Sequence, residues 1–186
     1  MTAPASFEGD ERIRLFCGLR LPEQALDGLV AWQREAVAHP GLRPVPREHL
    51  HVTLAFLGHR LAGELEAILG ALRAAAARAE PALLTVRGYR ETRSVGMLTC
   101  DDEGGRAAAL AADLQGRLEA LAVYEPERRR WLPHVTVVRF RERPRLRPPL
   151  PALEPFAPSD AAAYLSRLRP GGARYEVLES VEVGGR

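Results

Sequence analysis

The tripeptide His-Val-Thr occurs twice in this chain of 186 residues, each time at the start of an apolar run. The two runs span residues 51–57 and 134–138. Alternate residues of a β-strand point to the same face of a sheet, so each run predicts a strand that presents an imidazole and a hydroxyl side by side. Two such strands facing one another would line a cleft with two histidines and two threonines. The fold must therefore bring two separate strands to one place.

The spacing of apolar residues, together with Pro and Gly, predicts three helices among several strands. Strands are expected at 12–19, 51–57, 83–86, 95–100, 134–138, 160–168 and 174–183, and helices at 22–39, 62–78 and 104–122. A turn is expected at 87–90, and the Pro-rich segment 146–158 is expected to be a loop that flanks the cleft.

A weak internal repeat links the two halves of the chain. Cys17 precedes His51 by 34 residues, and Cys100 precedes His134 by the same distance. The predicted fold class is therefore α+β: a two-lobed, pseudo-symmetric fold in which antiparallel sheets line a central cleft and helices pack on the outside. Residues 11–186 are expected to form this single domain, and residues 1–10 a disordered leader.

Composition excludes some classes of protein. The sequence has neither an apolar stretch of about 18 residues that could span a membrane nor the pattern of a signal peptide. Two cysteines indicate no disulfide framework, which favours a reducing cytoplasm. All 26 basic residues are arginine, and eight of them lie within 128–147 beside a single acid. This stretch is either a solvated loop or a local site for a polyanion, and the composition alone leaves both open.

Four segments resemble the two-histidine phosphoesterase superfamily, and within it the bacterial RNA 2′,3′-cyclic phosphodiesterases, also called 2′-5′ RNA ligases. They are RLFCGLRLP at 14–22, EHLHVTLAFLG at 48–58, PHVTVVR at 133–139 and SRLRPGGARYEVL at 166–178. The resemblance implies hydrolysis of a 2′,3′-cyclic phosphodiester at an RNA end to a 2′-phosphomonoester, with 2′-5′ ligation as a possible reverse activity. The expected partner is RNA with a 2′,3′-cyclic phosphate end. Neither a membrane nor an obligate protein partner is expected, and the chain is expected to be a monomer.

The resemblance also implies roles for particular residues. His51 is the expected general acid and His134 the general base, while Thr53 and Thr136 are expected to donate hydrogen bonds to phosphate oxygens. Arg139 matches a basic position of the second motif, but strict alternation would place it on the face opposite His134 unless the strand bends. Neither a metal nor a cofactor is expected, since no cluster of ligand residues has metal spacing.

The remaining histidines and aromatic residues are given structural interpretations. His49 is expected at the surface or at the rim of the cleft, Phe16 and Phe56 in the core, His39 and His59 as bystanders, and Trp131 either in the core or stacked on a base. Two other functions stay open: hydrolysis of small cyclic nucleotides or nucleotide-sugar cyclic phosphates, and RNA binding without catalysis. The pairing of histidine with threonine in both motifs argues against the second, because binding alone does not need two titratable groups.

Overall fold

The computed structural model describes residues 7–170 and 172–184. In chain order its elements are β1 (Arg12–Arg20), α1 (Glu23–Ala36), β2 (Leu42–Pro44), β3 (His51–Leu61), α2 (Leu65–Arg78), β4 (Leu84–Glu91), β5 (Val95–Asp102), α3 (Arg106–Ala120), β6 (His134–Phe140), β7 (Asp160–Arg169) and β8 (Gly172–Glu182). Short 3₁₀ turns precede β3, α2 and α3. Within the described ranges, no helix is both long and apolar enough to cross a membrane.

The strands form one curled antiparallel sheet in the order β4-β5-β6-β3-β1-β7-β8, and β2 pairs with β6. The two lobes meet where β3 lies beside β6, through the pair Val52 and Val135. Each valine directly follows a histidine of the repeated motif, so this join brings His51 and His134 to the middle of the sheet. The predicted α+β fold with antiparallel strands around a central cleft is confirmed, and the two lobes share one continuous sheet.

Each helix buries an apolar stripe against the sheet or against a neighbouring helix. One leucine from each, Leu29, Leu72 and Leu114, is fully buried, and truncation of such a side chain costs about 2–5 kcal/mol. Helix α1 follows β1 in the chain but packs against β6, whereas α3 follows β5 and packs against both β3 and β5. Helices α1 and α3 therefore tie each lobe to the motif strand of the other.

Three local expectations were wrong. Residues 87–90 do not form a turn but continue β4, with a bulge at Arg87 between the register pairs Val86–Cys100 and Gly88–Thr99. Strand β3 does not end at Gly58 but bends there, because glycine adopts a φ of 68° without steric cost and the strand continues to Leu61. Strand β2, in the approach to the first motif, was not expected.

The Pro-rich segment 146–158 was expected to flank the cleft, and this was also wrong. It packs on the helix side of the sheet instead, where the carbonyl of Pro149 accepts a 2.7 Å hydrogen bond from the indole N–H of Trp32. Leu153 lies against Gly28 of α1, a position at which a larger residue would collide with it. The segment thereby covers α1.

Residues 7–10 lie at the start of the described chain and contact the folded part. The carbonyl of Gly9 accepts a 2.9 Å hydrogen bond from the N–H of Gly63, and Phe7 packs against the core. Residues 1–6 lie outside the described residues, so the disordered leader stays a prediction there.

Candidate active site

A cavity of about 1070 Å³ lies on the face of the sheet that carries His51 and Thr53. The alternate residues Val52 and Leu54 point the other way, into the core. Arginine, histidine, threonine and aromatic side chains dominate the wall: Arg14, Phe16, Arg43, His49, His51, Thr53, Phe56, Thr136, Arg139, Arg169, Arg174 and Tyr175. Five arginines against one lining carboxylate, Glu48, make this an electropositive site that suits an anionic ligand.

Both motif histidines are oriented by the same backbone contact. Nδ1 of His51 lies 2.7 Å from the carbonyl oxygen of His49, and Nδ1 of His134 lies 2.8 Å from that of Leu132, in each case two residues earlier. A carbonyl can only accept, so each Nδ1 carries a proton and donates it. In a neutral ring this leaves Nε2 as the nitrogen free to accept or receive a proton.

The motif threonines lie beside the imidazoles, as the two-residue alternation predicts. Thr53 and Thr136 both line the cavity. The Thr53 hydroxyl lies 3.1 Å from Nε2 of His51, which places a donor next to the free nitrogen of the ring. Two hydroxyls on one cavity wall can serve the non-bridging oxygens of a phosphate.

Aromatic rings surround the imidazole of His51. Phe16 stacks on it with a centroid separation of 4.8 Å, and Tyr164 and Tyr175 lie 5.6 and 5.7 Å away. Burial lowers the pKa of His51 to about 4, and the positive charge of Arg139 acts in the same direction. The hydrogen bond to the His49 carbonyl opposes the shift. The imidazole is therefore neutral at pH 7.

Gly18 of β1 provides the space that the His51 ring occupies. A Cβ atom at this position would lie 3.0 Å from the Val52 carbonyl oxygen and 3.1 Å from Cδ2 of His51. Any side chain here would push against both the strand and the imidazole.

A β-bulge explains how Arg139 reaches the cavity. Strict alternation would turn it away from His134 and Thr136, but β6 pairs with β5 through Thr136 and Val138, which leaves Val137 as an extra residue. The bulge shifts the alternation by one position, so Arg139 faces the same side as the motif residues and lines the cavity.

The same bulge occurs at the equivalent place in β3. Leu54 is the extra residue between Thr53 and Ala55 in the register with β1, and the shift places Phe56 on the cavity wall with 46% of its surface exposed. The expectation that Phe56 belongs to the core was therefore wrong. The guanidinium of Arg14 lies 4.7 Å from the centroid of the Phe56 ring, which keeps the ring in place.

A glutamine from the helix layer supports each bulge. Nε2 of Gln33 in α1 donates to the carbonyl of Val137 at 2.7 Å, and Nε2 of Gln115 in α3 donates to that of Leu54 at 2.7 Å. The two acceptors are each the third residue after a motif histidine. These contacts cross between the lobes, because each glutamine reaches the motif strand of the other half.

The other residues discussed from sequence take varied places. Phe16 is buried, as expected, although it also stacks on His51. His39 and His59 are exposed and do not line the cavity, whereas His49 does. The backbone N–H of Tyr175 lies 3.4 Å from Nε2 of His49, so this side chain connects the β7–β8 hairpin to the carbonyl that orients the His51 ring.

Trp131 was left open between core packing and base stacking. It lies partly buried against the core, and its indole N–H donates to the Thr53 carbonyl at 3.0 Å. Sequence reasoning did not single out Arg14, Arg43, Arg169, Arg174 or Tyr175. The position of Arg14 could have been inferred, because alternate residues of a strand share a face and Arg14 lies two residues before Phe16 and four before Gly18 in β1.

Comparison with known proteins agrees with this geometry. Residues 19–94 match the family described as LigT like phosphoesterase. An RNA 2′,3′-cyclic phosphodiesterase of Thermus thermophilus is 35% identical to this chain over 185 residues, covering 93% of this chain and 91% of its own length. The chain belongs to the LigT-like phosphoesterase family. The resemblance noted from the motifs is thereby confirmed, and the chain is an enzyme of that family.

Solved structures show the same fold. A crystal structure of a Thermus thermophilus protein superposes with a TM-score of 0.80 at 30% identity, covering 93% of this chain and 99% of its own. The E. coli LigT structure complexed with NADP+ gives a TM-score of 0.77 at 26% identity, covering 94% and 99%.

Proposed function

We propose that this enzyme hydrolyses the 2′,3′-cyclic phosphodiester at an RNA end to a 2′-phosphomonoester, using its two motif histidines and no metal ion. The observation that carries the proposal is the repeated arrangement of an imidazole with its Nδ1 held by a carbonyl and a threonine hydroxyl two residues on. The name of the similar Thermus protein supports the same reaction.

The reaction needs two proton transfers. A water molecule attacks phosphorus and gives its proton to Nε2 of His134, the bond from phosphorus to the 3′ oxygen breaks, and Nε2–H of His51 protonates that oxygen. Each transfer is typically worth ~10²–10⁴-fold in rate. Thr53, Thr136 and Arg139 stabilise the negative charge that gathers on the non-bridging oxygens. When the 5′ hydroxyl of a second RNA strand takes the place of water, the same two proton transfers open the cyclic phosphate to a 2′-5′ phosphodiester with a free 3′ hydroxyl, which is 2′-5′ ligation.

Burial makes His51 neutral at pH 7, although the proposed reaction needs it as an acid. An acid must be protonated when the substrate is bound, and a nearby phosphate anion favours the protonated ring. The substrate itself would therefore raise the pKa of His51, and the acid would become competent on binding.

The primary experiment is incubation of the protein with an oligoribonucleotide that ends in a 2′,3′-cyclic phosphate, with and without EDTA. The expected product is a 2′-phosphate, formed at the same rate in both conditions. His51→Ala and His134→Ala are each expected to reduce kcat by about 10²-fold or more. Unchanged rates in either variant would refute the mechanism, and a 3′-phosphate product would refute the choice of leaving oxygen.

The roles of the two histidines can be separated with a p-nitrophenyl phosphodiester of a nucleoside, whose leaving group needs no proton. His51→Ala should lose much less activity on this ester than on the cyclic phosphate, while His134→Ala should lose activity on both. The opposite pattern would reverse the assignment of acid and base.

We also propose a cytoplasmic location. It is supported by the two cysteines, which are buried and are both free thiols.

A further inference from the structure

The active-site cavity has two ends of different chemistry. Measured along the partner strand, Phe56 lies two residues from Thr53, and Arg139 lies two residues from Thr136. Two residues of an antiparallel strand span about 7 Å. Because β3 and β6 are antiparallel, Phe56 and Arg139 extend from the motif residues in opposite directions. The cavity therefore has an aromatic end at Phe56 and a cationic end at Arg139.

The cationic end holds a second arginine on the neighbouring strand. Arg43 of β2 is the register partner of Arg139 of β6, and both residues line the cavity. The Cβ atoms of directly opposite residues lie about 4.5–5.5 Å apart, and like charges at such positions are destabilising. Within the described residues, neither arginine forms an ion pair, and both are exposed. An anion bound by both guanidinium groups would offset this repulsion.

The backbone of both arginines is held by the same buried contacts. Arg43 precedes a proline, whose ring confines the preceding backbone to extended conformations. Two residues later, the N–H of Val45 donates at 2.9 Å to the carbonyl of Val137, the bulge residue that turns Arg139 toward the cavity. The amide of Gln33 donates to the carbonyls of both valines. The two guanidinium groups therefore project from neighbouring backbones that are fastened to each other.

The arginine at the aromatic end is engaged within the protein. Arg14 donates a 2.6 Å hydrogen bond to the hydroxyl of Ser166, and its guanidinium lies 4.7 Å from the centroid of the Phe56 ring. Ser166 is buried. These contacts fix Arg14 against the ring, so the exposed face of Phe56 is the surface that this end offers to a ligand. A ligand with an aromatic group on one side of a phosphate and a second anion on the other side matches the two ends.

We propose that Arg43 and Arg139 bind the phosphate on the 5′ carbon of the reacting nucleotide, so that the enzyme selects an RNA end over a free nucleoside cyclic phosphate. A guanidinium has five N–H donors, so Arg139 can contact both the reacting phosphate and this second phosphate, whose site Arg43 completes. One ribose separates the two phosphates, in keeping with the short step of about 7 Å from Thr136 to Arg139. The identity of the substrate rests on the proposed function, but binding of the second phosphate can be measured without turnover.

The test compares three substrates: adenosine 2′,3′-cyclic phosphate, its 5′-phosphorylated form, and the dinucleotide ApA with a 2′,3′-cyclic phosphate end. Arg43→Gln removes one charge of the pair. Arg169→Gln makes the same charge change elsewhere on the cavity wall, and Arg34→Gln makes it at an exposed position of α1. Urea unfolding of the free proteins is measured in parallel. Arg43→Gln should unfold at no lower urea concentration than the wild type, because it relieves the repulsion between the two arginines.

The wild type is expected to show a kcat/KM about 10-fold or more higher for the two substrates that carry a phosphate on the 5′ carbon. Arg43→Gln should lose most of this preference, mainly through a higher KM for those two substrates. Arg169→Gln and Arg34→Gln should keep it. The ratio between substrates is the decisive measurement, because a general loss of activity cancels from it.

Other outcomes would overturn the proposal. An equal loss of preference in Arg43→Gln and Arg169→Gln would mean a general attraction of anions by the cavity, and lower stability of Arg43→Gln would mean a structural role. Dependence on Arg43 for the 5′-phosphorylated mononucleotide but not for ApA would exclude selection of an RNA strand. If the wild type hydrolyses none of the substrates, the proposed function fails. Calorimetric titration with adenosine 2′-phosphate and adenosine 2′,5′-bisphosphate still tests the second site: the bisphosphate should bind about 10-fold more tightly to the wild type but not to Arg43→Gln, and equal wild-type affinities would exclude the site.

Discussion

The buried amide of Gln33 supports the bulge of β6, and its removal should destabilise the protein by about 2–4 kcal/mol. Nε2 of Gln33 donates to the carbonyls of Val45 at 3.0 Å and Val137 at 2.7 Å. The Val137 carbonyl keeps the N–H of Val45 as a second donor at 2.9 Å, so the loss of the amide donor there is worth about 1 kcal/mol. The Val45 carbonyl loses a buried donor, which costs about 1–3 kcal/mol. Gln33→Met keeps the length of the side chain and opens little space.

The same change should affect the active site. The bulge at Val137 is what turns Arg139 toward the cavity, so a relaxed bulge moves this guanidinium. We expect Gln33→Met to lower kcat/KM on the cyclic-phosphate oligomer. Gln115→Met removes one hydrogen bond, to the Leu54 carbonyl, and should cost less, about 1–3 kcal/mol.

Equilibrium unfolding in urea, followed by circular dichroism, measures the stability loss. Gln24→Met is the matched control, since Gln24 lies on the same helix but is exposed, and its change should stay within about 0.5 kcal/mol. Unfolding of Gln33→Met and Gln24→Met at the same urea concentration would show that the buried amide does not stabilise the fold. If Gln33→Met is destabilised but has wild-type kinetics, the amide secures α1 and does not set the position of Arg139.

Three further changes test the site. Burial lowers the pKa of His51 to about 4 from an ordinary value of about 6.5, so this ring stabilises the fold fully above pH 6.5 and the contribution is lost as the pH falls toward 4. His51→Gln should flatten the fall of unfolding free energy in that window by on the order of 1 kcal/mol per pH unit, and an equally steep fall would contradict the burial argument. Gly18→Ala should displace the His51 ring and lower kcat about 10- to 100-fold, whereas Gly70→Ala, with open space around it, should keep wild-type activity; equal activities would contradict the contact. Phe56→Ala should raise KM for RNA about 5- to 150-fold without loss of stability if the exposed ring stacks on a base, and an unchanged KM would exclude stacking.

Local periodicity was sufficient for the three helices and for the strands other than β2, and the repeated motif indicated the central pair of strands. The motif histidines and threonines share a face as the two-residue alternation requires. Two of the wrong expectations, Phe56 in the core and the turn at 87–90, each involve a bulge. A bulge depends on the register with the partner strand, which no local pattern reports. The same limit left Arg139 uncertain until the register of β6 with β5 was known.

The helix contacts were beyond local reasoning for another reason. Gln33 and Gln115 look like ordinary polar residues of amphipathic helices, and only the packing of each helix on the opposite lobe shows that they meet bulge carbonyls. Their equivalence could have been suspected from the internal repeat. Gln33 and Gln115 are separated by 82 residues, close to the 83 that separate Cys17 from Cys100.

The repeated backbone produces two sites that differ in chemistry. The bulges present the fifth residue after each motif histidine to the cavity, an apolar ring at Phe56 and a cation at Arg139. Phe16 of β1 stacks on His51, whereas the register partner of His134 in β5 is Thr99. Two titratable groups in different surroundings are what an acid–base pair requires, since identical surroundings would hold both rings in the same protonation state. The repeat therefore places the two imidazoles, and the residues that differ between the halves give each ring its own task.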